Sequence, residues 1–200
     1  MLHGELGPNE RLIEEDLARA HGTNRAVVRG ALARLEQERL IVREPNRGAR
    51  VRSFTAEEAA EILETRAVLE GLVARRAADR IDADGIAALG AIVDGMSDCH
   101  ERGDLLAYSQ LNARFHRTIL EIAQHETAAH MLSQLQSQSV RYQFRTVLEP
   151  GRAAKSLVEH KRIYLALQER DADAAERAVR EHIRNVIDTV RTVATSRTLL

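Results

Sequence analysis

"HGTNRAVVRGALARL", residues 21–35, places a glycine and an asparagine between two segments that both have helical periodicity. Gly22 can adopt the left-handed conformation that ends a helix, and Asn24 can cap the next helix by accepting hydrogen bonds from its free N–H groups. Ala18, Gly22 and Val28 fall at the spacings that a helix-turn-helix uses for its inward-facing residues. The stretch therefore predicts two helices joined by a tight corner.

The second of these helices has an apolar face and a basic face. Apolar residues recur on it at intervals of three and four, at Val28, Ala31, Leu32 and Leu35. Arg25 and Arg29, four residues apart, share a different face near the N-terminal end. The first turns of such a helix enter the major groove of DNA, where arginine contacts guanine or a phosphate. Taken alone, the same arginines also fit a solvated surface of a helix.

The residues that follow favour DNA. In "LIVREPNRGARVR", residues 40–52, a short apolar strand leads into a turn built on Pro45, Asn46 and Gly48, and a second strand returns. Four arginines lie on this hairpin, opposed only by Glu44: Arg43, Arg47, Arg50 and Arg52. The pattern is typical of a winged helix-turn-helix whose wing holds a phosphate backbone.

Charge and composition agree with this interpretation. The net charge of the 200 residues is −1, but residues 25–52 carry eight arginines against three glutamates. This basic segment is the candidate nucleic-acid surface. Cys99 is the single cysteine, so a disulfide framework and a zinc–thiolate cluster are both excluded. We find no signal peptide and no apolar run near the ~18 residues of a membrane span, and we expect a soluble, cytoplasmic protein.

The rest of the chain predicts an antiparallel bundle of six helices. Glycine and proline become sparse after Ser53, and Thr55 with Glu58 forms a capping-box pattern at the start of the first helix. We expect a mainly α fold, with a winged helix-turn-helix at 1–52 and a helical domain at 53–200. The predicted helices run from about 55 to 79, 82 to 102, 104 to 124, 126 to 148, 152 to 169 and 171 to 195.

Two histidines of the bundle are predicted to lie side by side. His160 and His182 each lie about eleven residues, or roughly 16 Å of helix, from the turn that joins the last two helices. Apolar or small neighbours surround each of them, which indicates that both point inward. His116 lies on a third helix, with Asn112 four residues before it and Leu120 four after.

Three imidazoles and a carboxamide could therefore converge on a divalent metal ion. Neutral imidazole is a common ligand of zinc and nickel, and such a set leaves open positions for water or an anion. The alternative is that each histidine is a hydrogen-bonded core residue. The other histidines show no comparable relation, and we interpret them as surface or packing residues.

The chain resembles a family of bacterial regulators in both halves. Residues 10–51, "ERLIEEDLARAHGTNRAVVRGALARLEQERLIVREPNRGARV", are similar to the winged-helix domain of the GntR family. The segments "RAVLEGLVARRAA", "LNARFHRTILEIA" and "EHKRIYLALQERDADAAERAVREHI" resemble the FCD effector domain of its FadR-like subfamily. The order of the two halves is also that of the family.

The resemblance implies a homodimeric transcription factor that binds a palindromic operator, often represses a catabolic operon, and answers to a small carboxylate held at a metal ion. It implies DNA-binding roles for Asn24, Arg25, Arg29, Asn46, Arg47 and Gly48. It implies a metal set of Asn112, His116, His160 and His182. Arg66 matches an arginine that in relatives often lies near the effector.

Three departures from the family pattern stand out. Asn112 replaces the more usual aspartate, which removes a negative charge and should weaken metal binding. Gly30 and Val27 stand where relatives commonly carry Glu and Pro, and a glycine inside a helix costs ~1 kcal/mol relative to alanine. The family's winged domain begins with a helix before "HGELGPNERL", so we expect either a truncated start or a substitute for that helix.

We therefore expect a ligand-responsive regulator and not an enzyme. One alternative is an effector-binding helical protein whose DNA binding is impaired by a truncated winged domain. The other is a metal-dependent hydrolase, but the sequence indicates no inward Glu or Asp as its general base.

Overall fold

The computed structural model describes residues 7, 9–44 and 48–198, except for the side chains of residues 44, 137–145 and 194–198. Its elements are β1 (Arg11–Leu12), α1 (Glu14–Ala20), α2 (Arg25–Gln37), β2 (Ile41–Glu44), β3 (Gly48–Val51), α3 (Ala56–Arg80), α4 (Ala83–Glu101), α5 (Leu105–Ala123), α6 (Glu126–Val147), α7 (Arg152–Gln168) and α8 (Ala172–Thr198). The fold is mainly α, as the sequence predicts.

The corner between α1 and α2 forms as predicted. Gly22 has φ +59°, a value that costs glycine nothing because it has no Cβ. The Asn24 side chain then caps α2 by accepting a hydrogen bond of 3.0 Å from the N–H of Val27. Val28 faces the core of this region, but the predictions that Gly22 and Ala31 face inward were wrong, because both are exposed. The apolar face of α2 is therefore narrower than its sequence suggests.

The wing is part of a three-stranded antiparallel sheet in the order β1-β3-β2. β2 and β3 form the predicted hairpin, with Val42 opposite Arg50, and its turn at 45–47 lies outside the described residues. β1 was not predicted; its Leu12 pairs with Ala49. Strands and helices share one small core: Leu12, Ala18, Val28, Leu32, Ile41, Ala49 and Val51.

All six predicted helices of the bundle are confirmed to within a few residues, and four of them, α3, α4, α5 and α8, begin at a capping side chain that the sequence shows. At α3, Thr55 Oγ1 accepts the N–H of Glu58 at 3.1 Å, and Glu58 Oε2 accepts the N–H of Thr55 at 3.0 Å. Asp82, Asp104 and Asp171 cap α4, α5 and α8 in the same way. Short polar side chains thus set where each of these helices begins.

α3 and α8 pack along much of their length, and the remaining helices surround them. The core between them is built from fully buried side chains such as Phe115, Ile163 and Leu167. Each contributes about 1.5–3 kcal/mol relative to an exposed position. His160 is buried in this same core at 0% exposure, so the helices that make the core also place the candidate site.

Polar contacts link the wing to the bundle where the sequence places the domain boundary, between residues 52 and 53. That boundary stays a prediction. Arg52 follows β3, and its guanidinium makes an ion pair with the same Glu58 that caps α3. The Arg52 guanidinium also lies over the Phe54 ring, 4.5 Å from its centroid. One carboxylate therefore serves both the end of the sheet and the start of α3.

Candidate functional site

Three histidines from three helices meet inside the bundle. His116 comes from α5, His160 from α7 and His182 from α8, and their candidate ligand atoms all lie within 4.8 Å of one another. The Nε2 atoms of His116 and His160 are 3.3 Å apart, and the ring centroids of His160 and His182 are 4.5 Å apart. The spacing that predicted a level pair on α7 and α8 is reproduced in the structure.

Two carboxylates fix the outer nitrogens of two of these rings. Nδ1 of His116 lies 3.2 Å from Oε2 of Glu70, on α3. Nδ1 of His182 lies 2.7 Å from Oε2 of Glu159, on α7. Because an ionised carboxylate only accepts, each Nδ1 carries the proton and donates it. In the neutral form of each ring, Nε2 then has the lone pair, on the side away from the carboxylate.

His160 is fixed in the same way by its own helix. Its Nδ1 lies 2.6 Å from the carbonyl oxygen of Ser156, one turn earlier on α7. A carbonyl oxygen also only accepts, so Nδ1 donates and Nε2 is left with a lone pair. Histidines that ligate metals commonly donate their second ring N–H to such an acceptor.

This arrangement fits a cation. Two nitrogens bound to zinc at 2.0–2.1 Å with tetrahedral angles lie about 3.4 Å apart, close to the 3.3 Å between Nε2 of His116 and His160. When His116 and His160 both carry a single proton on Nδ1, their Nε2 lone pairs face each other, and a positive charge between them removes the repulsion. Three neutral imidazoles are also a suitable donor set for zinc or nickel. The histidine cluster, meaning His116, His160 and His182, can therefore hold a divalent ion.

Burial keeps two of the three rings, His160 and His182, in the form that binds a metal. It lowers the pKa of His160 well below the ordinary value, and the neighbouring His182 and His116 add to this effect. Burial also lowers the pKa of His182, although the hydrogen bond to Glu159 opposes the shift. Both rings are consequently neutral at pH 7, and neutral imidazole is the form that binds a metal.

Arg66 contacts the carboxylate that holds His116. Its Nε donates to Oε1 of Glu70 at 2.9 Å, and both side chains are buried. Burial alone would raise the pKa of Glu70, but the charge of Arg66 and the hydrogen bond from His116 hold it well below its usual range. Arg66 thus keeps Glu70 ionised, and Glu70 orients His116; a role of Arg66 toward an effector stays a prediction.

Glu159 is the centre of a second polar group behind His182. Its Oε2 accepts from Nη2 of Arg152 at 2.8 Å as well as from His182, and its Oε1 accepts from Nδ2 of Asn185 at 2.9 Å. Burial would raise the pKa of Glu159, but His182 and Arg152 together lower it. The carboxylate therefore stays charged and holds His182 in place.

Asn112 occupies the position that its spacing predicts. It lies on α5 one turn before His116 and is half-buried, so the two residues share one face of the helix. Its role as a fourth ligand stays a prediction.

Sequence reasoning missed both carboxylates, because no inward Glu or Asp suggested itself from the sequence as a general base. Glu70 is 8% exposed, and the side chain of Glu159 is 12% exposed. For Glu70 there was a signal, because Arg66 precedes it by one turn on a face that also carries Leu63. For Glu159 there was little signal, because it is simply the residue before His160 on α7 and no pattern of spacing marks it as inward-facing.

The predicted DNA-reading arginines lie exposed on α2. The side chains of Arg25 and Arg29 are 63% and 60% exposed, and both face Glu14 in the first turn of α1. Nε and Nη2 of Arg29 lie 3.3 and 3.1 Å from the two carboxylate oxygens of Glu14. The hydrogen bond from Arg29 lowers the pKa of Glu14, with burial opposing it. The acid holds the arginines in a fixed direction at the protein surface.

Part of the predicted wing tip can be described. Gly48 begins β3 with φ +84°, as expected for the glycine of a tight hairpin turn, whereas Asn46 and Arg47 lie outside the described residues. Arg43 on β2 pairs with Glu36 at 3.0 Å and donates to the carbonyl of Arg29. The hairpin and α2 thus present their arginines on neighbouring surfaces.

A winged helix-turn-helix joined to a helical bundle is the architecture of a DNA-binding transcriptional regulator. Residues 1–51 match the model of the family described as bacterial regulatory proteins, gntR family, and residues 61–185 match that of the FCD domain. The chain therefore belongs to the gntR family of bacterial regulators and carries an FCD effector domain.

Relatives that align over most of the chain are named as HTH-type transcriptional regulators. The chain is 27% identical to the HTH-type transcriptional repressor RspR of Escherichia coli K12, over 96% of this chain and 85% of that protein. It is 24% identical to the uncharacterized HTH-type transcriptional regulator YdhC of Bacillus subtilis, over 91% and 82% of the two chains. The solved structure titled E. coli McbR/YncC has a TM-score of 0.80 at 21% identity, over 96% and 91%, which establishes a shared fold.

These relatives are regulators and not enzymes, so the prediction of a non-enzymatic protein is confirmed. The inward Glu70 and Glu159 that a hydrolase would need as bases serve instead as partners of histidines and arginines. Among the helices that the structure describes, none combines the length and apolar character needed to cross a membrane.

Proposed function

We propose that the chain is a homodimeric, DNA-binding repressor whose operator affinity is controlled by a small carboxylate bound at a metal ion in the FCD domain. The metal ligands are His116, His160 and His182, with Asn112 as a fourth. The observation that supports this proposal is that one ligand atom of each histidine lies within 4.8 Å of the others, while the three Nδ1 atoms are held by protein acceptors.

Zinc or nickel suits a site of this kind. Imidazole nitrogens are good ligands for both ions, and an amide oxygen from Asn112 completes a neutral donor set. When bound, such an ion supplies an electrophilic centre with open positions for a carboxylate oxygen. Glu70 and Glu159 orient two of the rings, and Arg66 and Arg152 keep those carboxylates ionised.

The DNA-binding half works through charge and shape. α2 inserts its N-terminal end into the major groove, with Arg25 and Arg29 at the base edges or phosphates and Asn24 as the cap. The wing, with Asn46, Arg47 and Gly48 at its tip, follows the backbone or the minor groove. Two copies related by a twofold axis match a palindromic operator, because the two half-sites of a palindrome have the same twofold symmetry and lie one helical turn apart.

A repressor of a catabolic operon is the role that fits this arrangement. Two relatives are named as transcriptional repressors, RspR and GlaR of Escherichia coli K12. A carboxylate bound among the bundle helices changes operator affinity only if it binds the DNA-competent and free states with different affinity. A carboxylate that binds the free state more tightly therefore releases the repressor from its operator as the carboxylate accumulates.

The metal site is tested by titrating chelator-treated protein with Zn²⁺ in a calorimeter. We expect one ion per chain, and loss of that binding in His182→Ala. His130→Ala is the matched control, because His130 is an exposed histidine of the bundle. Equal zinc binding by both variants, or no stoichiometric binding by the wild type, contradicts the proposal.

The DNA role is tested by selecting duplexes from a random pool with the full chain and measuring their affinity against salt. A regulator selects a symmetric site, and its affinity falls steeply as salt rises because bound counterions are released. Failure to select any duplex would favour the alternative of an effector-binding protein with impaired DNA binding.

A further inference from the structure

Val27 is an exposed aliphatic residue in the turn of α2 that carries the two arginines. It is 57% exposed, and it lies two positions after Arg25 and two before Arg29. Since an α-helix rises 1.5 Å per residue, Val27 is about 3 Å along the helix axis from each arginine. Single exposed valines are common on protein surfaces, but this one lies on the helix that the proposed function places in the major groove. In that groove it meets the edges of base pairs.

The Val27 side chain is held in a defined direction. Its N–H donates to Oδ1 of Asn24 at 3.0 Å, so the cap fixes the first turn of α2. The next residue, Val28, is 6% exposed and anchors the same turn in the core. A valine in a helix has one strongly preferred rotamer because it branches at Cβ. Val27 therefore presents its two methyl groups with little conformational freedom left to lose on binding.

The residues beside Val27 add no hydrogen-bonding side chain to this surface. Ala26 and Gly30, four positions apart, share one exposed face of α2. The buried face, with Val28 and Leu32, is on the other side of the helix. In the major groove the C5-methyl of thymine is the apolar group, whereas the other groups on the base edges are hydrogen-bond donors and acceptors. This part of α2 is therefore suited to a thymine, as the flanking arginines are suited to a guanine or a phosphate.

The packing of the chain does not require a glycine at residue 30. Apart from its chain neighbours and the backbone of α2, no atom of the described residues lies within 4 Å of the point where a Cβ would be. Gly30 lies inside α2, and its φ is not positive, so an alanine would fit the backbone. Glycine weakens a helix, but it also lets the backbone come close to a ligand. At Gly30 the backbone of α2 can lie directly against the bases.

We propose that Val27 is a specificity-determining residue that contacts the C5-methyl group of a thymine in each half-site, and that Gly30 lets α2 approach closely enough for this contact. This inference rests on the proposed function, in which α2 enters the major groove. The 3 Å spacing from each arginine is close to the rise of about 3.4 Å per base pair. The thymine therefore lies within about two base pairs of the groups that Arg25 and Arg29 contact.

The thymine contact is tested with the duplex that the full chain selects from a random pool. Each thymine is replaced in turn by uracil, which forms the same base pair but lacks the methyl group, and affinity is measured by fluorescence anisotropy. We expect one thymine per half-site at which uracil lowers affinity about fourfold, the effect of one buried methyl group. At the same position 5-methylcytosine should bind more tightly than cytosine by a similar factor. Absence of any methyl-sensitive thymine overturns the inference.

A double-mutant cycle assigns the contact to Val27. Val27→Ala should lower affinity for the selected duplex about fourfold per half-site, and uracil at the sensitive position should then cost little more. Val158→Ala is the matched control, since Val158 is 59% exposed on α7, outside the winged domain. Because both valines are exposed, both variants should keep the Tm of the wild type to within about 2 °C. A full uracil effect in Val27→Ala, or an equal loss of affinity in Val158→Ala, contradicts the role of Val27.

Gly30→Ala should give two effects of opposite sign. The Tm should rise by roughly 2–4 °C, because alanine favours a helix and its Cβ meets open space in the described structure. Affinity for the selected duplex should fall about fivefold or more, because the same Cβ is forced against the DNA. Unchanged affinity, or a lower Tm, contradicts the close approach at Gly30.

The outcomes separate this inference from the proposed function. Failure of the chain to select any duplex overturns the proposed function. A selected duplex whose affinity depends on salt but not on any thymine methyl group overturns this inference alone.

Discussion

The two halves of the molecule use the same pair of residue types next to their functional groups. On α2, Arg29 pairs with Glu14, and its side chain is 60% exposed. On α3, Arg66 pairs with Glu70, and its side chain is 8% exposed. In each half the carboxylate also reaches a second functional residue, Arg25 in the first case and His116 in the second.

Exposure decides what each pair contributes. Water and salt screen the Arg29–Glu14 pair, so it adds little to stability and its arginine can exchange the carboxylate for a phosphate. The Arg66–Glu70 pair is buried, and loss of either partner leaves the other charge buried without this counterion. The surface pair is suited to exchanging partners, and the buried pair is suited to holding a ring in place.

Removal of Glu70 should have the largest effect. Glu70→Ala leaves Arg66 buried without its counterion, and we expect a loss of about 3–5 kcal/mol in the free energy of unfolding. Thermal denaturation should show a Tm lower by roughly 10 °C. Glu64→Ala is the control on the same helix, because Glu64 pairs with Arg191 at the surface. Similar Tm values for the two variants would remove the distinction between buried and exposed pairs.

Zinc should stabilise the histidine cluster by a smaller amount. Zn²⁺ added at 100 times its Kd to chelator-treated protein should contribute about 2.7 kcal/mol, since the ion binds the folded chain. The measurement is Tm by calorimetry with and without chelator. His116→Ala should abolish the shift, whereas Arg29→Ala should keep it; a shift that persists in His116→Ala would place the ion elsewhere.

Replacement of Arg29 should affect DNA and not stability. For Arg29→Ala we expect operator affinity to fall about tenfold or more, as for loss of a base or phosphate contact. Fluorescence anisotropy with a selected duplex measures this, and Arg19→Ala on the exposed side of α1 serves as control. Unchanged operator affinity, or a large fall in Tm, would mean that the surface pair has a structural role.

Glu14→Gln should have the smallest effect, and it tests most directly how the surface pair differs from the buried pair. Without this carboxylate the arginines meet phosphates more readily, so non-specific duplex affinity should rise a few-fold, with a slightly steeper dependence on salt. Specific affinity should not rise in proportion, because Glu14 no longer directs Arg29. Parallel anisotropy titrations on selected and random duplexes give the ratio, and a constant ratio would contradict an orienting role for Glu14.

Local signals predicted most of the fold. The capping residues Thr55, Asp82, Asp104 and Asp171 act on N–H groups three positions away, so sequence alone locates the helix starts. β1 escaped prediction because two residues carry no periodicity and the strand exists only through its pairing with β3.

The candidate site likewise has one part that local sequence signals predict and one part that they do not. Helix geometry on the two sides of one turn predicts that His160 and His182 lie at the same height along α7 and α8. The structure places them side by side, as predicted. Glu70 and Glu159 act across helices on partners 46 and 23 positions away, at His116 and His182, and no local pattern contains that information. The role of a polar residue on a partly apolar helix face can be assigned only when the helix that packs against that face is known.

The carboxylate of Glu58 links the two halves mechanically. Since it caps α3 and also holds Arg52 at the end of the sheet, α3 cannot rotate about its axis without pulling on the wing or giving up its own cap. Glu70 lies three turns further along the same rigid rod, next to His116. Under the proposed function, a rearrangement of α3 caused by occupancy of the histidine cluster would therefore be transmitted through Glu58 and Arg52 to the wing.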